Sequence, residues 1–186
     1  MTFPLLRAHK AQTAAFLETL SRTLPGNSPD LADLRREISF RNTVAQTRTA
    51  LLLVAHHPDE PASEMVSLAR YAIEQSRGGR ELDVEQPLMP ADTGADELVA
   101  EYRRVLKLLL EGAMVALPSH ADTFEEVLLK ADVRKSYLGP LAALFVVDRC
   151  RYLPSSAIAR FALEALDDCS LPLAGPNGRA PSTNRG

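Results

Sequence analysis

The sequence predicts an all-α fold, a compact bundle of six or seven helices with a buried central helix near residues 138–150. Three observations carry this reading. The 13 prolines and 9 glycines gather between apolar-periodic stretches. There they start and stop helices, because proline lacks a backbone donor and collides with the preceding turn. The blocks between them, mostly 12 to 30 residues long, repeat apolar residues at helical spacing. Period-two alternation occurs only around Leu82 and Val84, and one strand makes no sheet, so residues 80–95 read as an extended loop.

Residues 4–24 place Leu5, His9, Thr13, Phe16, Leu17, Leu20 and Leu24 on one helical face. His9 sits at its centre and reads as a core histidine making one hydrogen bond. The second block, residues 30–57, opens with Asp30 as N-cap. It carries two apolar stripes, one of Leu31, Leu34, Ile38, Ala45 and Leu52, the other of Phe40, Val44, Leu51 and Ala55. The third block opens at Asp59 or Ser63, has Glu64 in its first turn and stops at Gly78-Gly79.

Residues 96–117 show the cleanest pattern: Leu98, Val99, Tyr102, Val105, Leu106, Leu109, Leu110, Ala113 and Leu117 face one way, and Arg103, Arg104, Lys107 and Glu111 the other. Thr93, three residues before Asp96, suggests a capping box. A further helix opens at the Thr123–Glu126 capping box and is expected to break at Gly139-Pro140. The nearly all-apolar residues 141–153 follow, and a helix apolar all round is a buried one. Asp148, Arg149 and Arg151 mark where it would emerge into water. The last block, capped by Ser155 or Ser156, sets Ile158, Phe161, Ala162, Ala165, Leu166 and Cys169 on one face. No fixed-period repeat points to a solenoid.

The length of 186 residues suits a single helical domain over residues 1–170, followed by a Pro- and Gly-rich tail, 171–186, expected to be disordered. The longest apolar run, residues 138–147, falls short of the roughly 20 residues that span a bilayer. Arg7 and Lys10 precede no uninterrupted apolar stretch, so no secretory signal is expected. Cys150 and Cys169 lack metal-ligand spacing and fit a reducing cytoplasm.

Between the two stripes of the second block lie Glu37, Arg41 and Arg48. Two turns apart, the arginines could present cations in an apolar groove to an anionic ligand or an acidic partner. The alternative is a Glu37–Arg41 pair at i,i+4 with Arg48 snorkelling to the surface. The net charge of −3 also conceals a segment, residues 58–101, with 11 acidic and 3 basic groups. Its acidic loop, residues 81–97, could dock a basic protein, or simply be solvated, with first-turn acids favoured by a helix dipole.

Arginine supplies 17 of the 21 basic residues. Clusters such as Arg35-Arg36, Arg103-Arg104 and Arg149/Arg151 would make a nucleic-acid face only if they converged. No phosphate loop, dinucleotide fingerprint, nucleophile elbow or HExxH pattern is present, so the sequence leans away from an enzyme and implies no cofactor. His56 and His57 with His120 form the nearest approach to a metal site, though adjacent histidines on a helix diverge by about 100°. The expected function is a protein–protein interaction module, an adaptor, chaperone or regulatory subunit, with homo-oligomerisation possible. The alternatives are nucleic-acid association through the arginines, and metal or small-molecule binding.

Overall fold

In the computed structural model, the described residues are 4–23, 31–76, 87–116 and 131–170. They form six α-helices and no strand: α1 Pro4–Thr23, α2 Leu31–His56, α3 Ala62–Ser76, α4 Ala95–Ala116, α5 Ala131–Val147 and α6 Ser155–Cys169. The Asp30 cap, the alternation around Leu82, the Thr123 capping box and the tail 171–186 lie outside the described residues.

Two helices, α2 and α5, pack against each other at the centre, and α3 and α6 each lie against both. The outer flank of α2 is covered by α1, and that of α5 by α4. A single apolar cluster draws on all six helices. The buried helix expected near residue 138 is α5, with Leu138, Leu141, Ala142, Ala143, Leu144, Val146 and Val147 all buried. On α4, the predicted face buries Leu98, Tyr102, Val105, Leu106 and Leu109; on α6 it buries every residue of the predicted stripe from Ile158 to Cys169.

Five expectations are corrected by the structure. Helix α5 does not break at Gly139-Pro140 but runs through it. A single lost backbone donor is tolerated there because the helix is held by packing on both sides. Gly139 serves another purpose: a methyl group built on it collides with Cys169 Cβ and lies 3.2 Å from Tyr102 Oη, so the glycine lets α5 and α6 approach closely. Arg149, expected at an exit into water, is buried, and it donates to the Pro87 carbonyl at 2.6 Å and to Glu101.

The caps also differ. Thr93 turns its hydroxyl back to the Pro90 carbonyl, and Glu97 instead accepts from the Gly94 N–H at 3.2 Å, at the head of α4. Pro154, not Ser155 or Ser156, is the N-cap of α6, its carbonyl receiving the Ala157 and Ile158 N–H groups. Lastly, Leu52 belongs to no buried stripe. It is 38% exposed, while Ala45 of the same predicted stripe is buried.

Candidate functional site

The position of Leu52 follows from how α2 is enclosed. Its neighbours α1, α3, α5 and α6 form a chain of contacts around it, α1 with α3, α3 with α5, and α5 with α6. Between the described residues of α6 and α1 there is no contact, so the ring is open on one side. At 100° per residue, Arg41, Val44, Arg48, Leu52 and Ala55 share one sector of α2. All five are left half-buried or exposed, while Thr43, Ala45, Thr47, Thr49, Ala50, Leu51, Leu53 and Val54 on the remaining sectors are buried. Helix α5 has an equivalent opening, since α3 and α4 do not touch. Beyond its C-terminal end the chain at 87–90 packs back on it, with Met89 buried and its N–H donating to the Arg149 carbonyl at 2.9 Å.

This open face has α2 as its floor and α1 and α6 as its walls. Arg41 and Arg48 are separated along it by two turns, about 10.5 Å. Arg48 makes no hydrogen bond or ion pair with any described residue. The ionisable group that responds to it is Cys169 of α6, whose thiol burial pushes up to about 11 and which Arg48 pulls back only in part. On α6, Phe161 and Asp168 face α4 through Tyr102. Leu163 lies on the opposite side of that helix, 46% exposed.

Behind the α6 wall lies a polar junction of three helices. The Tyr102 hydroxyl of α4 donates to Asp168 Oδ2 at 3.0 Å, and Lys135 Nζ of α5 donates to Asp168 Oδ1 at 2.8 Å. Burial raises the Tyr102 phenol well above its ordinary value, with the nearby Cys169 and Asp168 adding to the effect. Cys150 is likewise held as a thiol, raised to about 12 by burial. Neither cysteine is a thiolate at neutral pH, so neither is a ready nucleophile. Tyr102 is legible in the sequence as a core residue, but no local signal links it to Asp168, 66 residues away.

The remaining sequence-predicted residues do not join this face. Helix α4 touches α5 and α6 but not α2, which keeps Arg103 and Arg104 away from Arg48. Arg104 is committed to Glu101, at 2.8 and 2.7 Å, and Arg103 is exposed. Lys107, Lys135 and Arg149 are also each matched to a carboxylate, so much of the basic charge is neutralised locally. The side chain of Glu37 and the whole of His120 lie outside the described residues. His56, at the C-terminus of α2, donates Nδ1–H to the Leu52 carbonyl at 2.8 Å, and His57 is exposed. Among the described residues, no three His, Cys, Asp or Glu side chains are grouped as a metal site needs. None of the helices in this set is long and apolar enough to cross a membrane.

A cleft of about 370 Å³ opens between the head of α4 and the first turns of α6, lined in part by Thr93, Leu98, Ser156, Arg160, Phe161 and Glu164. Arg160 and Glu164 are both exposed, and no buried polar group converges on it. Comparison with family models, with curated proteins and with solved structures yields no match.

Proposed function

We propose that this protein is a protein–protein interaction module and that its docking surface is the open face of α2. The observation that carries the reading is the combination at Arg48. A half-buried guanidinium without a described partner stands in a row with Val44, Leu52 and Ala55, where the surrounding helices leave a gap. A cation partly removed from water and left unpaired is unfavourable on its own, and a partner that supplies a carboxylate turns that liability into a charge-assisted hydrogen bond. Beside it Leu52 is exposed and Val44 and Ala55 are half-buried, which leaves apolar area to bury.

Comparative affinity purification tests the proposal. Three baits are needed: the wild-type chain, a face variant carrying Arg48→Glu and Leu52→Asp, and a control carrying Arg103→Glu and Leu108→Asp on the outer side of α4. The expected result is a set of proteins retained by wild type and control and lost by the face variant, with all three baits melting alike. Equal retention by the face variant and the wild type contradicts the proposal.

A further inference from the structure

We propose that α1 is an acid-released helix: uptake of a proton by His9 detaches it from α2 and α3 while α2 to α6 stay folded. Among the described helices, α1 touches only α2 and α3. Between residues 4 and 19 it buries just Leu5, His9 and Thr13, with Leu6, Ala8, Phe16 and Leu17 half-buried. His9 and Thr13 are polar, so α1 gains less from apolar burial than α5, whose buried residues from Leu138 to Val147 are all apolar. A helix seated on so narrow a stripe belongs to the part of a fold that opens first.

The hydrogen bonds at the centre of the stripe hold His9 neutral. Its Nε2–H donates to the Gln46 carbonyl of α2 at 2.9 Å, and the Thr13 hydroxyl lies 3.3 Å from the same nitrogen. An added proton therefore goes to Nδ1, which is buried without a partner in a residue that is 0% exposed. The Gln46 side-chain oxygen is also buried without a partner, so the two atoms do not meet. Protonation thus creates an unpaired N–H and a buried charge together, and both are relieved when the ring reaches water.

None of the described groups around the ring supplies a negative charge. From α2 come Gln46 and, bonded behind it, Asn42, neither of them ionisable. From α3 comes Tyr71, edge-on at 5.8 Å, and from α1 itself Lys10, a cation lying over the same tyrosine at 5.6 Å. Burial, with Lys10 adding to it, holds the imidazole below 6.5 against the Gln46 bond. Docked α1 refuses a proton that released α1 accepts, so falling pH favours release. Release uncovers the side of α2 around Gln46.

Amide hydrogen exchange of the full chain tests this, read by mass spectrometry between about pH 8.5 and 5.5 and corrected for the intrinsic rate at each pH. Global unfolding exposes His9 as well, so the mark of release is a gap in protection. The amides of α1 are expected to be at least about tenfold less protected than those of α5 at every pH. From about pH 7.5 to 5.5 the protection of α1 should fall about tenfold, as one proton binds a group of 6.5 in the released helix. His9→Gln, which keeps an N–H for the Gln46 carbonyl, should remove that fall. A chain carrying His56→Gln, His57→Gln and His120→Gln leaves His9 as the sole histidine and should keep all of it. That chain preserves the test if His9→Gln does not fold. Equal protection of α1 and α5 shows one cooperative unit and overturns the proposal. So does protection of α1 that is level with pH, a fall that survives His9→Gln, or one that the sole-histidine chain loses.

Discussion

Tyr102 and Asp168, 66 residues apart in sequence, are joined by a 3.0 Å O–H···O bond that ties α4 to the C-terminal turn of α6. The carboxylate is shared with Lys135, so one acidic side chain holds three helices together. Replacing Tyr102 with Phe removes only the hydroxyl and leaves Asp168 partly solvated and still paired. The expected loss is therefore modest, about 1 kcal/mol, seen as a lower denaturant midpoint with an unchanged slope. Asp168→Asn combined with Tyr102→Phe is expected to cost less than the sum of the two single changes. Strict additivity contradicts the shared bond.

Gly139 distinguishes a helix breaker from a contact point. If it only interrupted α5, alanine would raise stability by up to about 1 kcal/mol through helix propensity. Its Cβ would instead meet Cys169 Cβ, and α6 must shift. Gly139→Ala is expected to lower Tm, with a loss of about 1–3 kcal/mol. Adding Cys169→Ala should not restore it, because the collision is with Cβ and not with the sulfur.

Glu101 carries the acid sensitivity of the α4–α5 side. The Arg104 hydrogen bond, with help from Arg149 and against burial, lowers its carboxyl from 4.5 to about 2. A depressed carboxylate stabilises the fold above its unfolded value, and the contribution disappears as pH falls from about 4.5 through about 2. Glu101→Gln should flatten stability against pH in that window. Arg104 is half exposed, so Arg104→Ala is expected to cost less than about 1 kcal/mol. Glu101→Ala strands the buried Arg149 and should cost about 3 kcal/mol.

His9 provides a second pH response of the same direction at higher pH. It is fully buried, its Nε2–H donates to the Gln46 carbonyl at 2.9 Å, and its Nδ1 has no partner among the described residues. Tyr71 of α3 meets the ring edge-on at 5.8 Å, and Lys10 lies over the same tyrosine. Burial lowers the imidazole below 6.5, and Lys10 lowers it further against the Gln46 bond. Below about pH 6.5 the unfolded chain therefore binds a proton that the folded one refuses, and stability falls as pH falls. Thermal melts between about pH 7.5 and 5.5 should show that slope in the wild type and lose it in His9→Gln.

Helices whose apolar positions recur at regular spacing are legible in the amino-acid sequence alone. The stripe of α6 is buried residue for residue and that of α4 at Leu98, Tyr102, Val105, Leu106 and Leu109, with Val99 and Leu110 half-buried, because an amphipathic helix has one way to bury its face. Contacts between distant segments are not legible. Arg149 follows an apolar run and so looks like an exit into water, yet Glu101, 48 residues earlier, meets it inside. The sequence sets Arg41 and Arg48 between two apolar stripes of α2, whereas in the fold Val44 and Ala55 of one stripe and Leu52 of the other share the open sector with them. That Leu52 shares the open side, and that Arg48 lacks a described counter-ion, depends on which helices cover the other three sides. Sequence period does not encode that.

The central claim is that another protein occupies the α2 face, and photo-crosslinking measures this directly. A photoreactive amino acid placed at Leu52 is compared with one at Leu108, which is 46% exposed on α4. The expected result is a discrete heterologous adduct from position 52, absent from position 108 and lost when Arg48→Glu is added to a chain that still melts as the wild type does. No adduct at 52, or the same adducts at both positions, contradicts the claim.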